Sequence, residues 1–211
     1  MSLVRLGAAT LCFAFSLSAQ AQFIALDGSG NPENFDTLTN SGTGSNLPNG
    51  WYFNETSASH PTTYAADDGT AISGDVYSYG SSGSAERAFG SIRSGSNAPT
   101  IGARIQNTSG SAFADLPLQY IGEQWRLGTA GRADRLDFQY SLNATSLTDA
   151  GATWVDVDAL DFNAPISAGT VGPIDGNASP NRVAINGTLN GINLAHGATL
   201  WIRWVDFNAT S

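Results

Sequence analysis

"RLDFQYSLN", Arg135 to Asn143, decides the fold. Leu136, Phe138, Tyr140 and Leu142 alternate with Asp137, Gln139, Ser141 and Asn143. A strand turns successive side chains to opposite faces, so this pattern predicts a half-buried strand with the four apolar residues facing a core. Working outward, the same alternation predicts strands over Thr100–Gln106, Leu118–Leu127 and Trp154–Leu160. Val183–Leu189 and Thr199–Asp206 follow, with weaker strands at Asp75–Tyr79 and Glu86–Ile92. Gly, Asn, Ser and Pro cluster between these runs, and no segment of convincing length carries a helical period. The expectation is an all-β protein: an antiparallel two-sheet sandwich of jelly-roll or concanavalin-like form.

The first residues read as a leader. Arg5 supplies the positive charge, Leu6–Leu17 an apolar run, and Ala19-Gln20-Ala21 a small-residue cleavage site. Residues 1–21 are expected to be a signal peptide, cleaved after Ala21, and 22–211 a single β-sandwich domain. The apolar run is too short for a span of ~20 residues, and no later stretch is long enough. The sequence holds one Cys, Cys12, inside the leader. The rest therefore has no thiol for catalysis, disulfides or metal. A core without disulfides must stand on packing, and about 190 residues are enough for one.

The net charge is −9, and losing Arg5 with the leader makes it one unit more negative. All the basic residues are Arg. A phosphate backbone or an anionic membrane surface would be repelled, so no nucleic-acid partner is expected.

Four groups of residues are candidates for chemistry. "DVDALD" sets Asp156, Asp158 and Asp161 in a D-x-D-x-x-D pattern. Positions i and i+2 share a strand face, and a bulge could bring the third round. Laminarinase-like retaining glucanases use E-x-D-x-x-E at this spacing, but here both glutamates would be aspartates, each a methylene short. The bland reading is a solvated strand face. His60 and His196 lie in turns without metal-ligand spacing or a G-x-S-x-G elbow. Oxygen-rich turns at Asp27 and Asn31, at Asp67 and Asp68, and at Asp175 are weak candidates for structural Ca²⁺. The first lacks the glycine and the bidentate glutamate of a calcium loop. Asp that caps its own turn is the competing use. Trp51 and Tyr52 follow the loop "LPNG" and could be presented at the surface as a sugar platform. The other tryptophans fall within strands and read as core.

Charge gathers in "GEQWRLGTAGRADRLDFQYSLNATSL" (122–147). Arg126, Arg132 and Arg135 stand there among Glu123, Asp134 and Asp137. No nucleophile or His accompanies them, so they read as polar stitching. Strands 118–127 and 135–143 would form a hairpin-like pair, with Arg126 meeting Asp137 or Glu123. Such cross-strand pairs contribute roughly 0.2–1 kcal/mol. Three loops are rich in Gly and Ser: 39–50, 78–86 and 164–181. The last is long enough to be functional or a plain surface excursion.

"NFDTL" (34–38), "LPNGWYF" (47–53), "SGDVYSYGSSGSAERAFGS" (73–91), "GEQWRLG" (122–128), "RADRLDFQYS" (132–141), "WVDVDALDF" (154–162) and "LWIRWVD" (200–206) occur in that order. Together they resemble a β-sandwich module of bacterial secreted and surface proteins. That module is found with PEP-CTERM-type sorting tails, or N-terminal to extracellular nuclease and lamin-tail domains. The resemblance implies a secreted sandwich and carries no catalytic residue with it. It also implies that the domain continues beyond Ser211 with one more strand; in a jelly-roll, whose chain ends meet, this would lie beside the N-terminal segment around Phe35–Leu38. The function expected is non-catalytic extracellular binding or display, with a glycan as default ligand by fold analogy. The alternatives are a glycan hydrolase using Asp156, Asp158 and Asp161, and the accessory part of a larger nuclease. A hydrolase should bring those carboxylates together beside an aromatic in a concave face. A binding module should present an aromatic at a loop end.

Overall fold

A computed structural model describes residues 22–57 and 62–207. Fifteen strands follow one another: β1 (Ile24–Leu26), β2 (Thr43–Gly44), β3 (Trp51–Asn54), β4 (Tyr64–Asp67), β5 (Asp75–Tyr79), β6 (Ala88–Ile92), β7 (Thr100–Asn107), β8 (Leu116–Glu123), β9 (Arg126–Leu127), β10 (Arg135–Ser141), β11 (Val155–Asp156), β12 (Phe162–Asn163), β13 (Gly172–Pro173), β14 (Arg182–Leu189) and β15 (Thr199–Asp206). Only two short 3₁₀ turns, Asp158–Leu160 and Ser179–Asn181, interrupt this all-β order among the described residues. No helix there is long and apolar enough to cross a membrane.

The main sheet is organised around β15. It pairs antiparallel with β7 on one side (Trp204 opposite Ile101) and with β10 on the other (Trp204 opposite Phe138). Beyond β7 lie β1 and β3; beyond β10 lie β11 and β12. The second layer contains β2-β4-β5-β6 and the β8–β14 ribbon. Both send apolar groups to the common core: Tyr64, Val76 and Phe89 from the first, Leu116, Ile185 and Leu189 from the second. The arrangement is a β-sandwich. It is not purely antiparallel, because β1 runs parallel to β7 and β4 parallel to β5.

The deciding strand behaves as its alternation requires. Phe138 is 1% exposed and meets Trp204 edge-on at 5.1 Å, while Leu136 and Tyr140 pack against the same core. Leu142 departs from the expectation and is 46% exposed. The strand stops at Ser141, whose Oγ accepts the N–H groups of Asn143 (3.3 Å) and Ala144 (3.0 Å). A hydroxyl that takes over the next amides turns the chain before Leu142 can continue the pleat.

Strand β15 is apolar on both faces because both are covered. Leu200, Ile202 and Trp204 enter the core. Trp201, on the opposite face, lies under Ala144, Leu147, Ala152, Trp154 and Tyr52. Arg203 belongs to that outer face too. Its guanidinium sits 3.6 Å from the Trp154 ring centroid and donates twice to Gln139 Oε1, at 2.9 and 2.7 Å. Buried among these neutral partners, it is pushed down to about 10.

Several predicted strands differ. The run 118–127 breaks after Glu123 because Gln124 turns inward. Its amide nitrogen donates to Ile166 O (2.9 Å) and Arg126 O (3.1 Å), and its Oε1 accepts Ile166 N–H (2.8 Å). The predicted hairpin with 135–143 does not form; β8 pairs with β14, and β10 with β15 and the β11/β12 edge. The run 154–160 contains only the two residues of β11 before a 3₁₀ turn. The segment around Phe35–Leu38 forms a turn, with Leu38 N–H donating to Phe35 O at 2.9 Å.

Candidate functional site

The charged stretch 122–135 does stitch, but to other segments than expected. Arg126 finds neither Asp137 nor Glu123; its Nη1 donates to Gly69 O at 3.0 Å. Glu123 instead pairs with Arg182 at 3.3 Å, Arg132 with Asp134 at 2.9 Å, and Arg135 with Asp137 and, at 3.6 Å, Asp161. The backbone joins in. Gly131 N–H donates to Ser167 O (2.7 Å), Ile174 N–H to Trp125 O (3.0 Å) and Gln124 N–H to Asn181 O (2.8 Å). The long loop 164–181 is thereby held along its length against residues 122–134.

This stitching lays Trp125 over the outer face of the second layer. Tyr77 and Tyr79 point away from the core there, and Trp125 packs with them, its ring 6.2 Å from that of Tyr79 and nearly parallel at 8°. Trp125 is 4% exposed. Two glycines make the fit possible. A Cβ at Gly176 would collide with the indole, and one at Gly69 with the Trp125 carbonyl. Gly69 also holds φ at +92°, a conformation that disfavours any other residue.

Over the Trp125 edge opens a shallow groove of ≈ 270 Å³, lined by Asp68, Ser81, Ser82, Trp125, Pro173, Ile174 and Asp175. Three loops build it: 67–71, 80–86 and 172–178. The first is shaped by Asp67, whose carboxylate accepts Gly69 N–H (2.7 Å) and Ala71 N–H (3.0 Å). The second is anchored from below by Arg87, 2% exposed, which donates to Ser78 Oγ (2.8 Å), Ser78 O, Ser81 O (3.4 Å) and Asp67 O (3.4 Å). The third is fixed by Asn181 Nδ2, donating to Asp175 O at 2.7 Å. Loops two and three also meet directly, where Asn177 Nδ2 donates to Glu86 Oε2.

The field at this end is negative. Among the described residues, the lining carries the carboxylates of Asp68 and Asp175 and no basic side chain. Asp68 Oδ1 accepts the Thr70 hydroxyl at 2.8 Å, and Asp175 Oδ1 accepts Asn177 N–H at 3.0 Å. Behind the groove, burial raises the Glu123 carboxyl above its usual range; the Trp125 N–H donated to it opposes that shift, and Glu86 and Asp175 add to it. Burial, then the charge of Asp67, pushes the Tyr79 hydroxyl far up.

The residues singled out from sequence lie elsewhere or serve other ends. Asp156 and Asp158 are exposed, while Asp161 is 8% exposed. Its Oδ1 accepts Phe138 N–H at 2.8 Å, filling the gap in the ladder between β11 and β12. Burial raises its carboxyl and that hydrogen bond counters the rise. Slight desolvation, then the hydrogen bond it shares with Asp158, raises Asp156. The three thus divide between surface and sheet edge.

Trp51 and Tyr52 are half-buried against other aromatic rings. Trp51 packs on Phe35 (4.7 Å) and Trp204 (6.1 Å), and its indole N–H is buried without an acceptor among the described residues. Tyr52 lies on Trp201 (5.0 Å) and donates its hydroxyl to Gln22 O (2.6 Å).

Of the calcium candidates, Asp27 accepts both the N–H and hydroxyl of Ser29 at 2.8 and 2.7 Å, Asn31 is exposed in the next loop, and Asp67, Asp68 and Asp175 cap turns at the groove. No group of three or more His, Cys, Asp or Glu suited to a metal ion forms among the described residues. His196 Nδ1 accepts Gly110 N–H at 3.1 Å; His60 lies outside the described residues. Sequence reasoning did not single out Ser81, Ser82, Pro173 or Ile174, although their loops stood out by composition.

The fold and groove define a class, an all-β sandwich with a loop-built polar groove on the outer face of its second layer. Beyond that class, comparison with family models, with curated proteins and with solved structures gives no match.

Proposed function

We propose that this is a secreted, non-catalytic binding module whose ligand is an extracellular glycan, held in the groove over Trp125. The observation that carries the reading is the mixed lining. Pro173 and Ile174 offer apolar surface for the C–H face of a sugar. Ser81, Ser82, Asp68 and Asp175 surround it with hydroxyls and carboxylates. Hydroxyls both donate and accept, and carboxylates accept charge-assisted bonds from sugar O–H groups. The volume lies just under the usual range of about 300–1,000 Å³ for small-molecule sites, which suits a single ring of a longer chain. The loops are tied to the framework before any ligand arrives, so little ordering entropy is lost on binding. Secretion is supported by the leader-like residues 1–21, and by the resemblance to bacterial surface and nuclease-associated modules.

The test is retention of purified protein on an immobilised glycan panel, followed by calorimetric titration of any hit. Asp175→Ala and Ser82→Ala should each weaken binding at least tenfold while the melting temperature stays put. Failure to bind any glycan would overturn the reading, as would affinity that both substitutions leave untouched.

A further inference from the structure

We infer that the groove selects an aminated glycan, a sugar unit carrying a protonated amine, over neutral and acidic ones. The inference rests on the glycan reading and specifies its substrate class. Among the described residues, every ionisable side chain that lines the groove is a carboxylate, Asp68 from loop 67–71 and Asp175 from loop 172–178. The neighbouring basic groups are engaged elsewhere. Arg126 points to Gly69 O, Arg182 is paired with Glu123, and Arg87 is buried beneath loop 80–86 on neutral oxygens. Glu86 stands exposed at the rim, bonded to Asn177. Each lining carboxylate has one oxygen occupied by its own turn, which orients the other without neutralising it. An ammonium is the donor that answers this arrangement, with three N–H groups and a full positive charge. Like charge would repel uronic and sulfated sugars. Ser81 and Ser82, exposed on the loop between the two carboxylates' own loops, are left for ring hydroxyls. Charge and hydroxyl recognition together specify an amino sugar rather than a simple amine.

The experiment titrates the purified protein with length-matched oligomers of β-linked glucosamine, N-acetylglucosamine and glucose, and with a short diamine, at pH 5 where the amines are charged. The glucosamine oligomer should bind at least tenfold tighter than the other three, and added salt should weaken it. Asp68→Asn and Asp175→Asn, checked for an unchanged melting temperature, should bring it level with the glucose oligomer. Equal binding of acetylated or neutral oligomers overturns the inference and leaves the glycan reading standing. A diamine as tight as the oligomer also overturns it, since charge alone would then suffice. If none of the three oligomers binds, the inference is overturned, and the broader glycan panel separately decides the reading beneath it.

Discussion

Ser91 donates its hydroxyl to Asp206 Oδ2 at 3.1 Å across the two layers, from β6 to the end of β15. Asp206 continues the inward-facing series Leu200, Ile202, Trp204, and so its carboxyl lies where the core meets the second layer. Arg93 reaches its backbone oxygen at 2.7 Å. Burial pushes the carboxyl up to about 7; Asp134 adds to the rise, while the Ser91 hydrogen bond and the charges of Arg93 and Arg132 oppose it.

A carboxyl raised from an unfolded value of about 3.9 favours the folded state when protonated. Its contribution is complete below pH ~4 and lost as pH rises through ~7. Asp206→Asn, which keeps an acceptor for Ser91, should therefore gain stability over the wild type as pH rises from 4 to 8, by an amount on the order of a few kcal/mol. Urea midpoints of both proteins across that range check the sign. A constant difference would show that Asp206 does not titrate there.

Phe138→Ala should cost about 3–5 kcal/mol, because a fully buried ring is lost. Leu142→Ala should stay within about 0.5 kcal/mol, since that side chain is half in water. Equal effects of the two in chemical denaturation would contradict the strand end at Ser141.

Asp161 closes a gap in a sheet edge, so removing it orphans the Phe138 amide. Asp161→Ala should destabilise by roughly 1–3 kcal/mol. Asp161→Asn, whose carbonyl oxygen can still accept, should recover much of that. Were Asp161 catalytic instead, Asn would be as damaging to turnover as Ala. No turnover of β-glucans is expected from the purified protein, and activity abolished by Asp158→Asn would reinstate the hydrolase alternative.

Gln124 holds loop 164–181 through two side-chain bonds to Ile166. Gln124→Ala should leave the Ile166 amide and carbonyl unpartnered and speed hydrogen exchange there before it affects β10 or β15. Uniformly faster exchange across the molecule would mean that the loop is not a separate unit of stability.

The fold class was legible because alternation reports burial directly, as in Leu136, Phe138 and Tyr140. A strand covered on both faces, as at Trp201 and Trp204, instead shows as a short continuous apolar run. Local polar chemistry misled. Ser141 ends a strand that Leu142 seemed to extend, and Gln124 breaks a run that read as continuous, because each side chain captures nearby backbone groups. Pairing partners were not legible either, since β8 and β10 alternate well whichever neighbour they take. The groove depends on this missing layer of information. Its loops could be named from their composition, but long-range ties such as Glu86 to Asn177, Arg87 to Asp67 O, and Trp125 against Tyr79 bring them to one place. Trp125 read as core from its strand-like setting; it is buried, but against the outer face of the second layer.

Strand β15 follows in sequence both strands it joins: Thr199 pairs with Gln106, and Ser141 with Trp201. During synthesis β7 and β10 thus exist before the strand that separates them, each with an open hydrogen-bonding edge and an apolar face. No hairpin of neighbouring strands joins β7 to β10. The main sheet cannot be completed until 199–206 has been made. Non-local pairing of this kind folds slowly, and until then the chain presents two sticky edges that a sister molecule could occupy.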